Sequence, residues 1–171
     1  GGIIGGLVYL KWKKQPVWKF FDLGLTSVVL AQGFGRIGCF LAGCCYGKET
    51  SCALHVVFHN SSFAPNDVQL YPTQLMMSIG DFLLFAFLVL YDKKRIARRD
   101  GEITGLYLLL YSVGRFIIEF FRGDAGRGSV GPLSTSQFIG IFLALAGLVV
   151  FIKRRKSTPA VMCMLDLDGT L

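Results

Sequence analysis

The amino-acid sequence predicts an all-α, polytopic transmembrane helical bundle, about four complete spans and a partial first one, with a small extracytoplasmic loop region. Three observations carry that prediction. Apolar residues make up 53% of the 171-residue chain, aromatics 13%, and glycine occurs 21 times, a balance that a water-facing surface of this size does not carry. Apolar runs of spanning length alternate with polar loops. The basic residues gather in every second loop, as a serpentine of helices requires.

In chain order the partial span is Gly1 to Leu10, and the complete ones are Phe21 to about Ala42, Pro72 to Tyr91, Ile103 to Phe121 and Ser136 to Ile152. The opening GGIIGG sets Gly1 with Gly5 and Gly2 with Gly6 at small-xxx-small spacing, read here as helix packing. It has no basic n-region and is not a signal peptide, and without an initiator Met the chain is expected to be a fragment of something longer. Lys11, Lys13, Lys14 and Lys19 load one loop, Lys93, Lys94, Arg95, Arg98 and Arg99 another, and Lys153, Arg154, Arg155 and Lys156 follow the last span. The positive-inside rule makes these cytoplasmic, with the C-terminus, and puts Gly43 to Tyr71 and Arg122 to Thr135 on the outer side of a bacterial plasma membrane. Residues 1–156 form the membrane-embedded domain and 157–171 a cytoplasmic tail. The formal net charge of +7 suits anionic lipid heads and gives no case for nucleic acid.

Ionisable side chains inside the spans are the main functional signal. A charge at the centre of a bilayer helix costs roughly 2.5–3.5 kcal/mol, so it is kept where it meets a partner, a cavity or a substrate. Arg115, Glu119 and Arg122 fall on one helical face of the Ile103–Phe121 span and its end. Arg36 lies in QGFGRIGCF, where Gly33, Gly35 and Gly38 leave room beside its guanidinium. Two arginines at membrane depth point to an anionic ligand, and a phospholipid head group is the commonest anion there. The plainer alternative is that Arg36 snorkels or stitches two helices together. Asp124 and Arg127, among Gly123, Gly126 and Gly128, give a charged loop or a solvated turn. Tyr46, Tyr71, Gln74 and Gln137 sit near span ends as interface anchors.

Four of the five cysteines, Cys39, Cys44, Cys45 and Cys52, lie close together, and Cys163 is remote. Their spacing is not the C-x-x-C of zinc ligation, so no metal is expected, although metal or redox chemistry stays open beside the plainer reading of small apolar residues at a helix end. HVVFHN reads as a short strand with His55 and His59 on one side, a thin basis for a metal site.

GGIIGG, GRIGCFLAGCCYG, YPTQL and GRFIIEFFRGD, in this order, resemble the bacterial prolipoprotein diacylglyceryl transferase family over Gly1 to about Lys156. The resemblance implies a transferase of lipoprotein biosynthesis. It would move a diacylglyceryl group from phosphatidylglycerol to the lipobox cysteine in the signal peptide of a prolipoprotein, without a cofactor. It assigns catalysis to Arg115 and Glu119, and lipid binding to Arg36, Gly35, Gly38, Arg122, Gly47 and Gln74. Cys39, Cys44 and Tyr71 stand where the family usually has Asn, Glu and His, Met76 and Met77 where Tyr or acidic residues are expected, and a family His would precede Gly1. Two other classes stay open: a non-catalytic phospholipid-binding membrane protein, and a thiol-redox protein using Cys39, Cys44 and Cys45. The closing LDLDGTL is similar to the first motif of haloacid-dehalogenase-like phosphatases, which would make Asp166 and Asp168 the start of a truncated domain with no activity in this chain.

Overall fold

The computed structural model describes residues 1–94, 99–123, 129–130 and 133–156. The chain runs α1 (Gly2–Trp12), α2 (Val17–Ala42), β1 (Val56–Val57), β2 (Gln69–Leu70), α3 (Thr73–Lys94), α4 (Glu102–Glu119), β3 (Ser129–Val130), β4 (Leu133–Ser134) and α5 (Thr135–Lys156). Among the described residues α2, α3 and α5 are long and apolar enough to cross a membrane. The helix α4 is not in that set, because Glu102, Arg115 and Glu119 all fall within its 18 residues. Every expected span is a helix, with ends shifted by a few residues.

The distribution of side chains is that of a protein in lipid. Leu23, Leu41, Ile79, Leu83, Phe142 and Leu145 are exposed, whereas Asp22, Thr73, Gln74, Ser78, Asp81, Glu102, Ser112 and Gln137 are buried. Polar groups inside and apolar groups outside are the arrangement that a hydrocarbon surround favours. The core is a small cluster of Val29, Leu88, Ile103, Leu106 and Tyr107 on α2, α3 and α4. The most extensive helix contact is α4 with α5, followed by α2 with α3.

Glycine explains how closely α4 and α5 approach. A Cβ on Gly105 would stand 2.6 Å from the Phe151 backbone nitrogen, and one on Gly147 would stand 2.7 Å from that of Leu109. The close approach expected at GGIIGG does not occur among the described residues. Gly1, Gly2, Gly5 and Gly6 have nothing within 4 Å of the added carbon, and α1 touches α2 only lightly.

Local chemistry fixes the helix ends. Gly43 closes α2 with φ of 71°, in the left-handed region where a side chain is disfavoured. Ser134 and Gln137 form a reciprocal cap on α5: the Gln137 amide donates to Ser134 Oγ at 3.2 Å, and the Ser134 amide donates to Gln137 Oε1 at 3.1 Å. Gln137, expected as an interface anchor, therefore serves its own helix. Asp22 of α2 caps α4 from outside, accepting from the amides of Gly101 at 2.8 Å and Thr104 at 2.9 Å and from Thr104 Oγ1 at 2.6 Å. A carboxylate there also meets the positive end of the α4 dipole. At the same end Arg154 lies over the Trp18 ring, 4.0 Å from its centroid. Lys13, Lys93, Lys94 and Lys153 belong to this end too, so the basic residues collect where the sequence pattern put them.

Asp22→Ala leaves three donors without an acceptor in a buried place, and a loss of about 2 kcal/mol or more is expected. Ser134→Ala removes one exposed-end cap and is expected to cost about 1 kcal/mol. Thermal unfolding in detergent micelles should therefore rank Asp22→Ala well below Ser134→Ala and wild type.

Candidate functional site

The charged stripe of α4 is built as an ion pair. Arg115 Nη2 lies 3.0 Å from Glu119 Oε2, one helical turn on, and the two side chains are only 13% and 7% exposed. Arg115 also donates to Ser136 Oγ of α5 at 3.3 Å and approaches Met77 Sδ of α3 at 3.8 Å. Three helices thus hold one guanidinium. Beside it a cavity of about 120 Å³ opens between α3 and α4, lined by Met77, Gly80, Asp81, Tyr111, Gly114 and Arg115 among others. Gly80 and Gly114 face open space, so the cavity wall is low on both helices.

Asp81 is the residue that the sequence reading passed over. It is 5% exposed, and its Oδ2 has no hydrogen-bond partner among the described residues. The Arg36 guanidinium of α2 acts on it electrostatically. Arg36 itself is half-buried and does not line this cavity, and its charge acts on the cavity through Asp81. The glycines around Arg36 divide into two kinds. Gly33 is packed: its carbonyl accepts from Ser78 Oγ at 2.9 Å, and an added Cβ would meet the Phe82 ring at 2.9 Å. Gly35 and Gly38 have nothing within 4 Å, so one side of the Arg36 turn is open.

The other expected site residues fasten the loop that follows α2. A Cβ on Gly47 would stand 2.4 Å from the Tyr71 carbonyl oxygen, so only glycine allows this loop against the start of α3. Gly47 pairs as an isolated bridge with Arg122, which is 6% exposed and engaged in the structure. Lys48 donates its amide to the Phe121 carbonyl at 2.8 Å, and Tyr71 stacks edge-on against Phe121 at 5.5 Å. Gln74, buried at 1% exposure, donates from Nε2 to the Cys44 carbonyl at 2.9 Å, and Thr73 Oγ1 donates to the Cys45 carbonyl at 3.1 Å. Gly47, Gln74 and Arg122 thus brace the rim at the end of the bundle where Arg36, Arg115 and Glu119 sit. Asp124, Arg127, Cys163, Asp166 and Asp168 lie outside the described residues.

The cysteines come together more closely than their spacing suggests. One ligand atom from each of Cys39, Cys44 and Cys45 lies within 4.8 Å of the others. Burial pushes the Cys44 thiol up to about 11, with Cys39 and Cys45 adding to the shift. The strand expected at HVVFHN is β1, paired with β2. His55 Nδ1 is 2.9 Å from the Cys52 carbonyl and His59 Nδ1 is 2.6 Å from Asp67 Oδ1, so the two imidazoles have separate local partners. Another cavity, of about 520 Å³, lies at the opposite end of the bundle between Lys19, Asp22, Leu88 and Asp92, and neither arginine lines it.

The profile of the family described as prolipoprotein diacylglyceryl transferase matches residues 1–153. A phosphatidylglycerol–prolipoprotein diacylglyceryl transferase of Clostridium tetani is 54% identical over 155 residues, covering 88% of this chain and 61% of that protein. A second, from Clostridium perfringens, is 48% identical over 167 residues, covering 92% and 64%. One from Finegoldia magna is 33% identical over 160 residues, covering 91% and 60%. The chain spans about three-fifths of the length of these curated relatives. The LDLDGTL segment falls beyond the matched residues.

A thiol pushed up to about 11 by burial is almost wholly protonated at neutral pH. Alkylation of Cys44 at pH 8 in chelator-containing buffer is expected to run roughly a hundredfold below that of an ordinary thiol, and to keep rising up to about pH 11. Site-resolved mass spectrometry of iodoacetamide adducts across that range measures it.

Proposed function

The chain belongs to the prolipoprotein diacylglyceryl transferase family, and from that premise we propose that it serves the transfer of a diacylglyceryl group from phosphatidylglycerol to the lipobox cysteine of a prolipoprotein. The observation that carries this reading is the group of Arg36, Asp81, Arg115 and Glu119 at membrane depth beside the α3–α4 cavity. The basic ends of α1, α3 and α5 face the cytoplasm of a bacterium, and the arginine end faces the outer side of the plasma membrane. Acceptor signal peptide and lipid head group then meet in the same leaflet.

The chemistry follows from the groups in place. The substrate thiolate attacks the glyceryl carbon, a C–S bond forms as the C–O bond to phosphate breaks, and glycerol phosphate leaves with the electron pair. Arg36 and Arg115 stabilise the charge that grows on the departing phosphate, in a site where low dielectric strengthens the attraction. Glu119 fixes the Arg115 guanidinium with its planar fork toward the cavity, a positioning role suited to arginine. Asp81 Oδ2, buried and without a hydrogen-bond partner among the described residues, takes the proton of the incoming thiol.

Arg36→Ala is expected to lower transfer of labelled diacylglyceryl to a lipobox peptide by about 10²–10³-fold, with Arg36→Lys recovering only part. Asp81→Asn is expected to lower turnover by about 10²-fold or more while lipid binding persists. Wild-type protein that binds phosphatidylglycerol without any transfer would move the reading to a lipid-binding scaffold. Glu119→Leu alone should lose roughly 3–5 kcal/mol by stranding a buried guanidinium, and adding Arg115→Met should recover most of that stability while transfer stays absent. Detergent unfolding and the transfer assay on the same preparations separate the two effects.

A further inference from the structure

We propose that Cys39, Cys44 and Cys45 form a binding site for a soft, thiolate-seeking d10 metal ion, Zn²⁺ or Cu⁺ among biological ions. The fold does what the sequence spacing alone does not. Cys39 lies in the last turn of α2, and the left-handed Gly43 at φ 71° reverses the chain so that Cys44 returns over it. The Cys44 amide donates to the Cys39 carbonyl at 3.1 Å, and its thiol reaches the same oxygen at 3.6 Å. Side chains of consecutive residues ordinarily diverge. Cys45 converges because it takes φ of 60°, a left-handed conformation that a non-glycine residue rarely adopts.

The loop is held in that shape from outside. Gln74 anchors the Cys44 carbonyl and Thr73 the Cys45 carbonyl, so the thiols are presented by a braced backbone rather than a floppy turn. Their ligand atoms, within 4.8 Å of one another, need only small rotations to reach the roughly 3.8 Å separation of sulfurs each about 2.3 Å from zinc. Among the described residues no carboxylate or imidazole belongs to the group, and an all-sulfur set selects soft ions over Mg²⁺ or Ca²⁺. Binding releases the thiol protons to solvent and leaves a metal-thiolate centre of net negative charge when a divalent ion binds three thiolates.

The test uses the whole chain in detergent, reduced, stripped with chelator and titrated with Cd²⁺, whose thiolate charge-transfer absorption reports sulfur ligation, and then with Zn²⁺ in competition. One tight equivalent is expected, weakened at least tenfold in Cys39→Ser and Cys44→Ser and unchanged in a Cys52→Ser, Cys163→Ser double variant. X-ray absorption on the Zn²⁺-loaded wild type keeps the proposal open to refutation if a variant fails to fold. A shell of three sulfurs near 2.3 Å is expected. A shell of oxygen and nitrogen only, a charge-transfer band that survives loss of all three cysteines, or reduced wild type with no Cd²⁺ affinity each overturns it.

Discussion

An apolar exterior denies water to every polar group inside the bundle, and the rest of the structure depends on how those groups are satisfied by the protein alone. Asp22 takes the donors at the start of α4. Gln74 and Thr73 take the loop carbonyls after α2, and Glu119 takes Arg115. Each of these contacts joins elements distant in sequence or fixes a charge in place. The same groups that would be costly alone therefore set the order of the helices and the position of the rim. Where a buried polar atom is left over, as at Asp81 Oδ2, the cost is not met by the fold, and a ligand or a proton is the natural complement.

The spans were legible because a helix long enough to cross lipid must be written as an unbroken apolar run, and the run is local. Their ends were less so. Phe21 was read as a start although α2 begins at Val17, because Lys19 near a helix end counts against apolarity while costing little in structure. Asp22 and Asp81 were invisible for a different reason: each is one acid in an apolar run, and its meaning lies in α4 or in Arg36, helices away. The S-T-S-Q pattern before the last span is a capping box whose meaning lies in the pair of Ser134 and Gln137, and Gln137 taken as an isolated amide does not show it.

Motif residues and fold residues also turned out to overlap. Gly47 and Gln74, expected to touch lipid, are required where they are by the backbone of Tyr71 and the carbonyl of Cys44. That does not remove them from the site. A phosphate pocket works through arginines held still, and the residues that hold the rim decide how still they are. The cysteines show the converse case, since spacing along the chain undervalued thiols that a left-handed turn brings together.

Charge accounting ties the assigned groups into one device. On the proposed reading the site sets Arg36 and Arg115 against Asp81 and Glu119, and the bound lipid adds the single negative charge of a phosphodiester. Transfer turns that phosphodiester into a phosphate monoester carrying close to two negative charges. If the thiol proton moves to Asp81, one carboxylate charge disappears as one phosphate charge appears, and the net charge of the pocket is unchanged from bound lipid to bound product. In a low-dielectric setting a net charge costs several kcal/mol, so a base inside the pocket serves better than one that exports the proton. The position of Asp81, facing the cavity beside one arginine and within the field of the other, is what such a balance requires.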